Sequence, residues 1–512
     1  MLIRDIIEES GKKFSDIVAV RWLQKKNFCD RTYQELLKNV RKVRRGLLEK
    51  GYEGKHIALI GSSSVEWIEA YLGIITGPMV AVPLDVLLPV EDLVDLVNRS
   101  DSEALFLSPK CTTYLETFLA KCPKLQKIYL LQDEKAEGYS EKVAVWSDVK
   151  SDAETNPDSD RPQESDVATI IFTSGTTGKS KGVMLTQSNI STNVESVEYW
   201  TEPGSILLSV LPIHHAFCLV MDWMKGFSLG ATICINDSML HMVRNMSLFK
   251  PEIMLMVPLM IETIHKRLTG ADPSVPKEVL AEKVFGGKLH TIFTGGAHLD
   301  PYYIDQFAEY GVNVLEGYGM SECSPVISSN SGKQHKKGSI GMPLSNVEIK
   351  FEDGEILVRG SSVMKGYYKM PEETAETLKD GWLHTGDKGY LDEDGFLFIN
   401  GRVKNLIILS NGENVSPEEI ENKLALNDLV GEVIITGENN GLTARIYPDQ
   451  EAAAGMDAEE IRKTLQEFID GFNKVQPTYR QITALVVRKY PFLKSSTRKI
   501  KRQEVLIDEP AE

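Results

Sequence analysis

The sequence predicts an α/β protein with a large N-terminal part and a smaller α+β domain at the C-terminal end. Two observations carry this prediction. Short apolar runs alternate with longer mixed segments from residue 56 onward, and a different pattern of strands and helices begins near residue 400. A chain of 512 residues has room for two large folding units or about three ordinary ones.

The alternating pattern predicts buried strands joined by helices. Apolar runs occur at residues 56–61, 80–83, 104–107, 127–131 and 167–173, and a helix-like stretch follows the first of them to about residue 77. Runs of this length are typical of strands in a largely parallel sheet. Residues 151–166 contain almost nothing apolar, and we interpret them as a surface loop within one domain.

The C-terminal pattern predicts a small α+β domain of about 110 residues. It opens with a helix start in which Ser416 is the cap, Pro417 the first residue and a following glutamate completes a capping box. The other predicted elements are strands at 432–436 and 443–447, a helix at 458–474 and a strand at 484–487.

Composition and charge exclude several classes of protein. Hydrophobic residues make up 42% and charged residues 25% of the chain, as in an ordinary globular protein, which excludes a disordered, collagenous or coiled-coil chain. The 57 basic and 73 acidic residues give a net charge of −16, so we expect no nucleic-acid partner. Any anionic ligand must then be bound by a local cluster of donors.

The cysteines and the apolar stretches indicate a cytoplasmic location without a transmembrane segment. The chain start alternates charged and apolar residues, unlike an export signal. The most apolar stretch, residues 71–90, contains Asp85 and three prolines, which predicts helix, turn and strand rather than a membrane span. No zinc-site spacing relates the six cysteines, which are Cys29, Cys111, Cys122, Cys218, Cys234 and Cys323.

The segment 173–182, Thr-Ser-Gly-Thr-Thr-Gly-Lys-Ser-Lys-Gly, is the strongest local feature. Its glycines allow a tight turn, while its hydroxyl, backbone N–H and lysine groups suit phosphate oxygens. It is not a Walker A loop, because two residues separate Gly175 from Gly178 where that motif has four. By itself the segment is equally compatible with a polar hairpin loop.

Further motifs follow this segment in a fixed order. They are 211–217 (LPIHHAF), 294–297 (TGGA), 316–322 (EGYGMSE), 338–341 (GSIG), 381–387 (GWLHTGD), 401–404 (GRVK) and 494–502 (KSSTRKIKR). In order and spacing the set resembles the adenylate-forming (AMP-binding) superfamily of acyl-CoA synthetases, carrier-protein adenylation domains and luciferases. The resemblance extends from about residue 57 to 502 and is greatest with bacterial fatty-acid acyl-CoA synthetases.

The resemblance implies an N-terminal domain at residues 1–401, a mobile C-terminal lid domain at 402–512, and a two-step ligase reaction. A carboxylate first attacks the α-phosphorus of ATP, releasing pyrophosphate and giving an acyl-adenylate. A thiol then displaces AMP and gives a thioester. The implied cofactors and cosubstrates are ATP, Mg²⁺ and CoA.

The resemblance assigns the nucleotide contacts residue by residue. The phosphate contacts are Thr173, Ser174, Gly175, Thr176, Thr177, Gly178 and Lys181. The adenosine and ribose contacts are Gly295, Gly296, Ala297, Glu316, Gly317, Tyr318, Gly319, Met320, Ser321, Asp387 and Arg402. Glu322, together with Thr173, is assigned to the metal. Ser321 and His298 stand where the family usually has threonine and proline.

The resemblance also assigns catalytic and hinge residues. Lys499 is expected to stabilise the charge that develops at the α-phosphate, although Arg498 precedes it where the family has glycine. His215 is expected to border the acyl pocket and the thiol channel. Lys404 falls on the hinge position, and rotation there would bring the thiol-side residues into place; these are Gly412, Glu413 and Asn414.

The expected acid is a medium- or long-chain fatty acid, or another carboxylic acid. The expected pocket is apolar and rich in methionine, and no charged residue stands out in it to bind an ammonium group. Its lining is Phe217, Val220, Met221, Met224, Met256, Val257 and the strand end at 293–297. An acyl carrier protein in place of CoA, a luciferase-like oxygenase and a non-catalytic nucleotide-binding protein are the alternatives.

Overall fold

The structure is a computed structural model of the 512-residue chain. It describes residues 1–134, 138–152, 160–173, 180–199, 201–272, 274–409, 414–438, 441–494, 500–502 and 505. The contacts divide the chain into two compact units. Unit 1 consists of Met1–Ile349 and Val358–Leu383, and unit 2 consists of Lys350–Leu357 and His384–Glu512.

The strands carry the numbering β1 to β27. In chain order they are β1 (Val18–Gln24), β2 (Asn27–Thr32), β3 (His56–Ile60), β4 (Val80–Leu84), β5 (Ser102–Leu107), β6 (Lys127–Leu130), β7 (Val143–Ala144), β8 (Val167–Thr173), β9 (Lys181–Thr186), β10 (Ile206–Ser209), β11 (Thr232–Ile235), β12 (Ile253–Met256), β13 (Thr291–Thr294), β14 (Asn313–Gly319), β15 (Val326–Ser329), β16 (Met342–Pro343), β17 (Val347–Glu352), β18 (Glu355–Gly360), β19 (Gly366–Tyr367), β20 (Leu378–Lys379), β21 (Trp382–Leu391), β22 (Leu397–Arg402), β23 (Ile407–Ile408), β24 (Asn414–Val415), β25 (Val430–Glu438), β26 (Gly441–Pro448) and β27 (Ile482–Val487).

The α-helices carry the numbering α1 to α15. They are α1 (Ile3–Lys13), α2 (Tyr33–Glu49), α3 (Val65–Ile75), α4 (Val90–Arg99), α5 (Leu115–Lys121), α6 (Trp146–Val149), α7 (Gln187–Ser196), α8 (Gly226–Ser228), α9 (Met242–Phe249), α10 (Pro258–Thr269), α11 (Lys277–Phe285), α12 (Pro301–Ala308), α13 (Pro371–Thr377), α14 (Pro417–Leu424) and α15 (Ala458–Asn473). A π-helix, Phe217–Lys225, leads directly into α8. No helix in the described ranges is both long and apolar enough to cross a membrane.

Unit 1 contains an eight-stranded sheet of order β19-β9-β8-β4-β3-β5-β6-β7. The strands from β8 to β7 in this order run parallel. At one edge β9 pairs antiparallel with β8, and β19 pairs antiparallel with β9. Its strands are buried on both faces, which explains their continuous apolar runs. The predicted helix, turn and strand in residues 71–90 are confirmed as the end of α3 and β4.

A second sheet of unit 1 has the order β16-β15-β14-β13-β12-β10-β11-β1-β2. The strands from β14 to β1 are parallel, with antiparallel pairs at both edges. Loops that follow the parallel strands therefore meet at the carboxyl edge, where open α/β sheets bind ligands. The turn after β13 and the segment that ends β14 both lie there.

Unit 2 contains a three-stranded sheet, β25-β26-β27, with a core shared by α14 and α15. The predicted strands and the helix at 458–474 are confirmed within one to two residues of their predicted bounds. The capping box at Ser416 is wrong, although α14 does begin there: the Ser416 side chain makes no cap bond and instead donates to Glu418 Oε2 at 3.1 Å.

Candidate functional site

The predicted phosphate loop connects the two strands of a hairpin. Thr173, the last residue of β8, lies directly opposite Lys181, the first residue of β9. Gly182 is needed beside Lys181, because a Cβ there would lie 2.9 Å from Ile170 Cγ2. Both ends of the loop are therefore fixed by the edge of the eight-stranded sheet. The remaining predicted phosphate contacts, residues 174–178, lie outside the described residues.

The predicted metal ligand, Glu322, lies in a short 3₁₀ turn, Ser321–Cys323, after β14. Its side chain is nearly buried, with 9% exposure. The Tyr367 hydroxyl donates to Glu322 Oε1 at 2.8 Å, and the Met364 N–H donates to the Glu322 carbonyl oxygen at 2.8 Å. The segment around β19 thus holds both the backbone and the carboxylate of this glutamate.

Tyr367 connects this glutamate with the phosphate hairpin. The Lys181 ammonium nitrogen lies 4.7 Å from the centroid of the Tyr367 ring, a cation–π contact. Burial, followed by the negative charge of Glu322, raises the pKa of Tyr367, so its hydroxyl stays protonated and donates at neutral pH. Sequence reasoning missed Tyr367, because nothing in the chain order relates this aromatic residue to a carboxylate 45 residues earlier.

The two segments predicted to contact adenine lie on neighbouring parallel strands. Thr294 at the end of β13 pairs with Glu316 on β14. The backbones are so close that a Cβ on Gly295 would lie 2.9 Å from the Gly317 carbonyl oxygen. Glycine is therefore required there, and Tyr318, with an intermediate burial, follows on the same strand.

Two buried oxygens at this place have no hydrogen-bond partner in the described part of the chain: Thr294 Oγ1 and Glu316 Oε2. Burial, helped by the negative charge of Asp300, raises the pKa of Glu316 to about 8. A neutral carboxyl group can both donate and accept. A purine, with ring acceptors and an exocyclic amine, would supply partners that these side chains lack, so the residues present fit a nucleotide base.

The residues present also fit a phosphate-bound divalent ion. In the described ranges, no group of three or more His, Cys, Asp or Glu side chains is placed to hold a metal by itself. Mg²⁺ is commonly bound by one or two carboxylates together with substrate phosphates and water. Glu322 near Lys181 and the phosphate hairpin corresponds to that arrangement. The assignment of Thr173 and Glu322 to the metal stays a prediction.

In unit 2, Asp387 and Arg402 lie opposite each other on β21 and β22. Arg402 Nε lies 3.1 Å from Asp387 Oδ1, and the Asp387 side chain is buried while that of Arg402 is half-exposed. The predicted partnership of these two residues thus agrees with their geometry, whereas their contact with ribose stays a prediction. Lys404 follows in a 3₁₀ turn, Val403–Asn405.

His215 stays the predicted residue at the acyl and thiol side. It packs against His214, with ring centroids 4.4 Å apart, just before the π-helix. Burial lowers the pKa of His214 to about 3, with a further contribution from His215, so His214 is neutral. His214 Nε2 also lies 3.8 Å from Asp85 Oδ2, at the end of β4. The histidine pair therefore lies near the carboxyl end of β4, in the segment that follows β10.

The π-helix carries the first group of residues predicted to line the acyl pocket. Val220, Met221 and Met224 are buried on it. The same helix contains a carboxyl group that sequence reasoning did not single out. Asp222 is 1% exposed, accepts from Ser209 Oγ at 2.8 Å, and has a pKa raised to about 7 by burial.

The other assigned residues are placed as follows. Gly296 and Ala297 are exposed in the turn after β13, Gly319 ends β14, and Met320 precedes the 3₁₀ turn that contains Ser321. Lys499, Gly412 and Glu413 lie outside the described residues, as does the side chain of Asn414, whose backbone belongs to β24. For these residues the assignments stay predictions.

Comparisons with known proteins relate this chain to one family of enzymes. Residues 7–368 match the family described as AMP-binding enzyme, and residues 404–508 match the AMP-binding enzyme C-terminal domain. A long-chain-fatty-acid–CoA ligase of Bacillus subtilis is 28% identical over 90% of this chain and 87% of its own. A chloroplastic long-chain-fatty-acid–[acyl-carrier-protein] ligase of Arabidopsis thaliana is 27% identical over 91% and 79%.

The fold also has solved counterparts. An anthranilate CoA ligase in complex with anthranoyl-AMP has a TM-score of 0.83 at 19% identity, over 99% of this chain and 97% of that one. The predicted α/β fold with a smaller C-terminal domain is therefore confirmed, and so are the predicted superfamily and an enzyme of the acid–thiol ligase type. The boundary at 401/402 stays a prediction. The chain belongs to the AMP-binding enzyme family.

Proposed function

We propose that this enzyme activates a medium- or long-chain fatty acid with ATP and transfers the acyl group to CoA. The observation that carries the proposal is the grouping of Lys181, Tyr367 and Glu322 at the end of the phosphate hairpin. A cation and a carboxylate that contact the same tyrosine suit a triphosphate with its divalent ion. Family membership and the relatives' names support the same reaction.

In the first step, the substrate carboxylate oxygen attacks the α-phosphorus, and the bond from that phosphorus to the β-phosphate oxygen breaks. Thr173 and Lys181, with the loop residues 174–178, hold the β- and γ-phosphates in line. Glu322 would hold Mg²⁺, and the bound ion would neutralise negative charge on the phosphates. The orphaned Thr294 and Glu316 oxygens receive the adenine, Tyr318 stacks on it, and Asp387 with Arg402 holds the ribose.

In the second step, the sulfur of CoA attacks the acyl carbon, and the bond from that carbon to the adenylate oxygen breaks, releasing AMP. His215 borders the thiol channel. Lys404 is the hinge, at the start of a C-terminal domain at residues 402–512. Residues Gly412, Glu413 and Asn414 face the thiol. These assignments rest on the resemblance in the motifs.

Aliphatic substrates are supported by the apolar side chains on the π-helix and by Met256, which is buried at the end of β12. Phe217, which begins the π-helix, and Val257, next to Met256, are half-buried and belong to the same lining. The relative from Bacillus subtilis is named as a long-chain-fatty-acid–CoA ligase. We therefore propose an aliphatic rather than an aromatic acid.

A second candidate acceptor is the phosphopantetheine thiol of an acyl carrier protein. The relative that is named as an acyl-carrier-protein ligase matches this chain over nearly the same length as the CoA ligase. Both acceptors present the same thiol to the adenylate. We propose CoA as the acceptor, and turnover with the carrier protein is one outcome of the experiment below.

The experiment is quantification of AMP, pyrophosphate and thioester across acids from acetate to octadecanoate, aromatic acids and amino acids. Each acid is supplied with CoA, with acyl carrier protein, or with no thiol. AMP and acyl-CoA that appear only with an aliphatic acid and CoA would support the proposal. Turnover only with carrier protein would show that CoA is not the acceptor. Turnover only with aromatic acids would show that the substrate is not aliphatic.

The role of Lys499 has a separate test. Lys499→Ala should lower acid-dependent ATP–pyrophosphate exchange by roughly 10²–10³-fold, because a cation that acts at the developing charge contributes mostly in the transition state. Thioester formation from supplied acyl-adenylate should be largely retained. Lys501→Ala is the matched control, since it removes a neighbouring lysine of the same segment. Equal loss in both half-reactions would contradict the assignment.

A further inference from the structure

We infer that Tyr367 is a positioning residue that joins the metal ligand Glu322 to the phosphate-binding Lys181. Its hydroxyl fixes the orientation of the glutamate, while its ring face holds the lysine ammonium group. The inference rests on the proposed function, since it takes Glu322 as the metal ligand and Lys181 as a phosphate ligand. It adds a residue that none of the sequence motifs assigns to the site.

The strand register brings the Tyr367 and Lys181 side chains together. Tyr367 pairs with Val183 across the antiparallel contact of β19 and β9. Lys181 is two residues before Val183 on β9, so the Lys181 and Val183 side chains lie on the same face of that strand, the face on which Tyr367 also lies. Lys181 is therefore a diagonal neighbour of Tyr367, a position within reach of long and aromatic side chains. The distance of 4.7 Å from the ammonium nitrogen to the ring centroid agrees with this register.

The tyrosine is itself held rigidly. It is 5% exposed, and its backbone N–H donates to Thr374 Oγ1 at 2.9 Å. Gly366 before it has a φ of 140°, and a Cβ there would lie 2.8 Å from Thr374 Cγ2. The middle of α13 thus packs closely against β19 and fixes where the Tyr367 ring lies.

The hydrogen bond at Glu322 is directional. Tyr367 donates to Oε1 at 2.8 Å, which fixes the orientation of the carboxylate. One carboxylate oxygen is thereby held by the protein, and the second oxygen would be the one to bind a cation. Partners that orient a ligand carboxylate in this way typically change metal affinity by 10–100-fold when they are removed. The ring meanwhile holds the lysine ammonium nitrogen 4.7 Å from its centroid, on the same tyrosine whose hydroxyl contacts the carboxylate.

Tyr367→Phe tests the hydroxyl alone, because it keeps the ring and its contact with Lys181. The Mg²⁺ concentration for half-maximal binding of a fluorescent ATP analogue should rise by roughly 10-fold. Half-maximal Mg²⁺ for acid-dependent pyrophosphate exchange should rise by the same factor, and the KM for the acid should not change. Tyr367→Leu, which also removes the ring face, should weaken binding of the analogue even at saturating Mg²⁺.

Tyr368→Phe is the matched control, since the Tyr368 hydroxyl donates to another carboxylate, Asp101 Oδ2, at 2.6 Å. It should leave the Mg²⁺ dependence unchanged. In a Glu322→Gln background, Tyr367→Phe should add nothing further. An unchanged Mg²⁺ midpoint in Tyr367→Phe, an equal shift in Tyr368→Phe, or additive effects with Glu322→Gln would overturn the inference.

The binding assay separates this inference from the proposed function. If the wild-type enzyme binds the ATP analogue with Mg²⁺ but Tyr367→Phe does not shift the midpoint, the inference fails and the proposed function stands. If the wild-type enzyme binds no ATP analogue at any Mg²⁺ concentration, both fail. Thermal unfolding of each variant shows whether a loss reflects misfolding, and Tyr367→Phe, which keeps the buried ring, is expected to stay folded with only the small drop in melting temperature that one lost hydrogen bond causes.

Discussion

Glu322 and Asp222 are two carboxyl groups of the same unit, and each accepts a 2.8 Å hydrogen bond from a hydroxyl group. Glu322 lies in a turn at a sheet edge, where it retains 9% exposure. Asp222 is 1% exposed, within the π-helix. The hydroxyl bond is the same in both places, so the surroundings decide what the carboxyl group can do.

The surroundings of Glu322 and Asp222 differ in the cations nearby and in access to solvent. Glu322 shares Tyr367 with Lys181, next to the phosphate hairpin. Asp222 has Ser209 and the weak donor Cys218, whose sulfur lies 3.6 Å from Asp222 Oδ2. Burial raises the pKa of Asp222 to about 7, so its proton is retained up to neutral pH. A carboxylate at a rim can hold a metal, whereas a protonated carboxyl in a core acts as a packing group.

The largest effect that this contrast predicts is on activity. Glu322→Gln should lower acid-dependent ATP–pyrophosphate exchange by roughly 10²-fold, because the amide keeps the shape but loses the charge that a divalent ion needs. Asp222→Asn should change exchange by less than about 3-fold, since the buried acid is already protonated. Comparable losses of exchange activity in Glu322→Gln and Asp222→Asn would contradict the different roles given to the two carboxyl groups.

Asp222→Asn should instead change how stability depends on pH. As the pH rises from about 4 to 7, residue 222 ionises in the unfolded chain but not in the folded one, so the folded wild type loses stability. The pKa of about 7 in the fold implies a loss on the order of 4 kcal/mol over this range, fully present above pH 7. Asp222→Asn, whose amide cannot ionise, should not show this loss of stability.

Urea unfolding of both proteins at pH 4, 5.5 and 7 would measure this difference. The free energy of unfolding of Asp222→Asn should rise relative to wild type as the pH increases. Asp16→Asn, at an exposed aspartate, is the control and should show little trend. A difference between Asp222→Asn and wild type that is independent of pH would mean that Asp222 is ionised in the folded protein at neutral pH.

The smallest predicted effect concerns the hydroxyl partners. Ser209→Ala should lower the free energy of unfolding by about 1 kcal/mol, the usual contribution of one buried hydrogen bond, without shifting the Mg²⁺ midpoint. Tyr367→Phe removes an equivalent buried hydrogen bond and should lower the free energy of unfolding by a similar amount, but unlike Ser209→Ala it should also shift the Mg²⁺ midpoint. A Mg²⁺ shift in Ser209→Ala would show that the two carboxyl groups are not independent.

Much of this site could be predicted from the sequence, because its motifs follow strands. Thr173 and Lys181 flank a glycine-rich loop directly after an apolar run, a pattern that suits a phosphate-binding loop and a polar hairpin equally, and only the motifs that follow it favour phosphate. The glycines at 295 and 317 mark close backbone contacts in the same way. Their adjacency on neighbouring strands follows only from the order of strands in the sheet.

Tyr367 and Asp222 could not be predicted, for different reasons. Tyr367 acts through long-range contacts, and β19 joins the sheet edge by only two residues. Asp222 is an isolated acid in an apolar segment, and a sequence alone does not show whether such an acid faces solvent or the core. The π-helical turn, which local residue preferences do not specify, buries it.

Acid-dependent ATP–pyrophosphate exchange, measured without any thiol, tests the central claim most directly. The account predicts exchange that requires both an aliphatic acid and Mg²⁺, that proceeds without CoA, and that is strongly reduced in Glu322→Gln. Exchange that does not depend on an acid, or no exchange with any acid by an enzyme that binds Mg²⁺ and ATP, would contradict the claim that this chain forms acyl-adenylates.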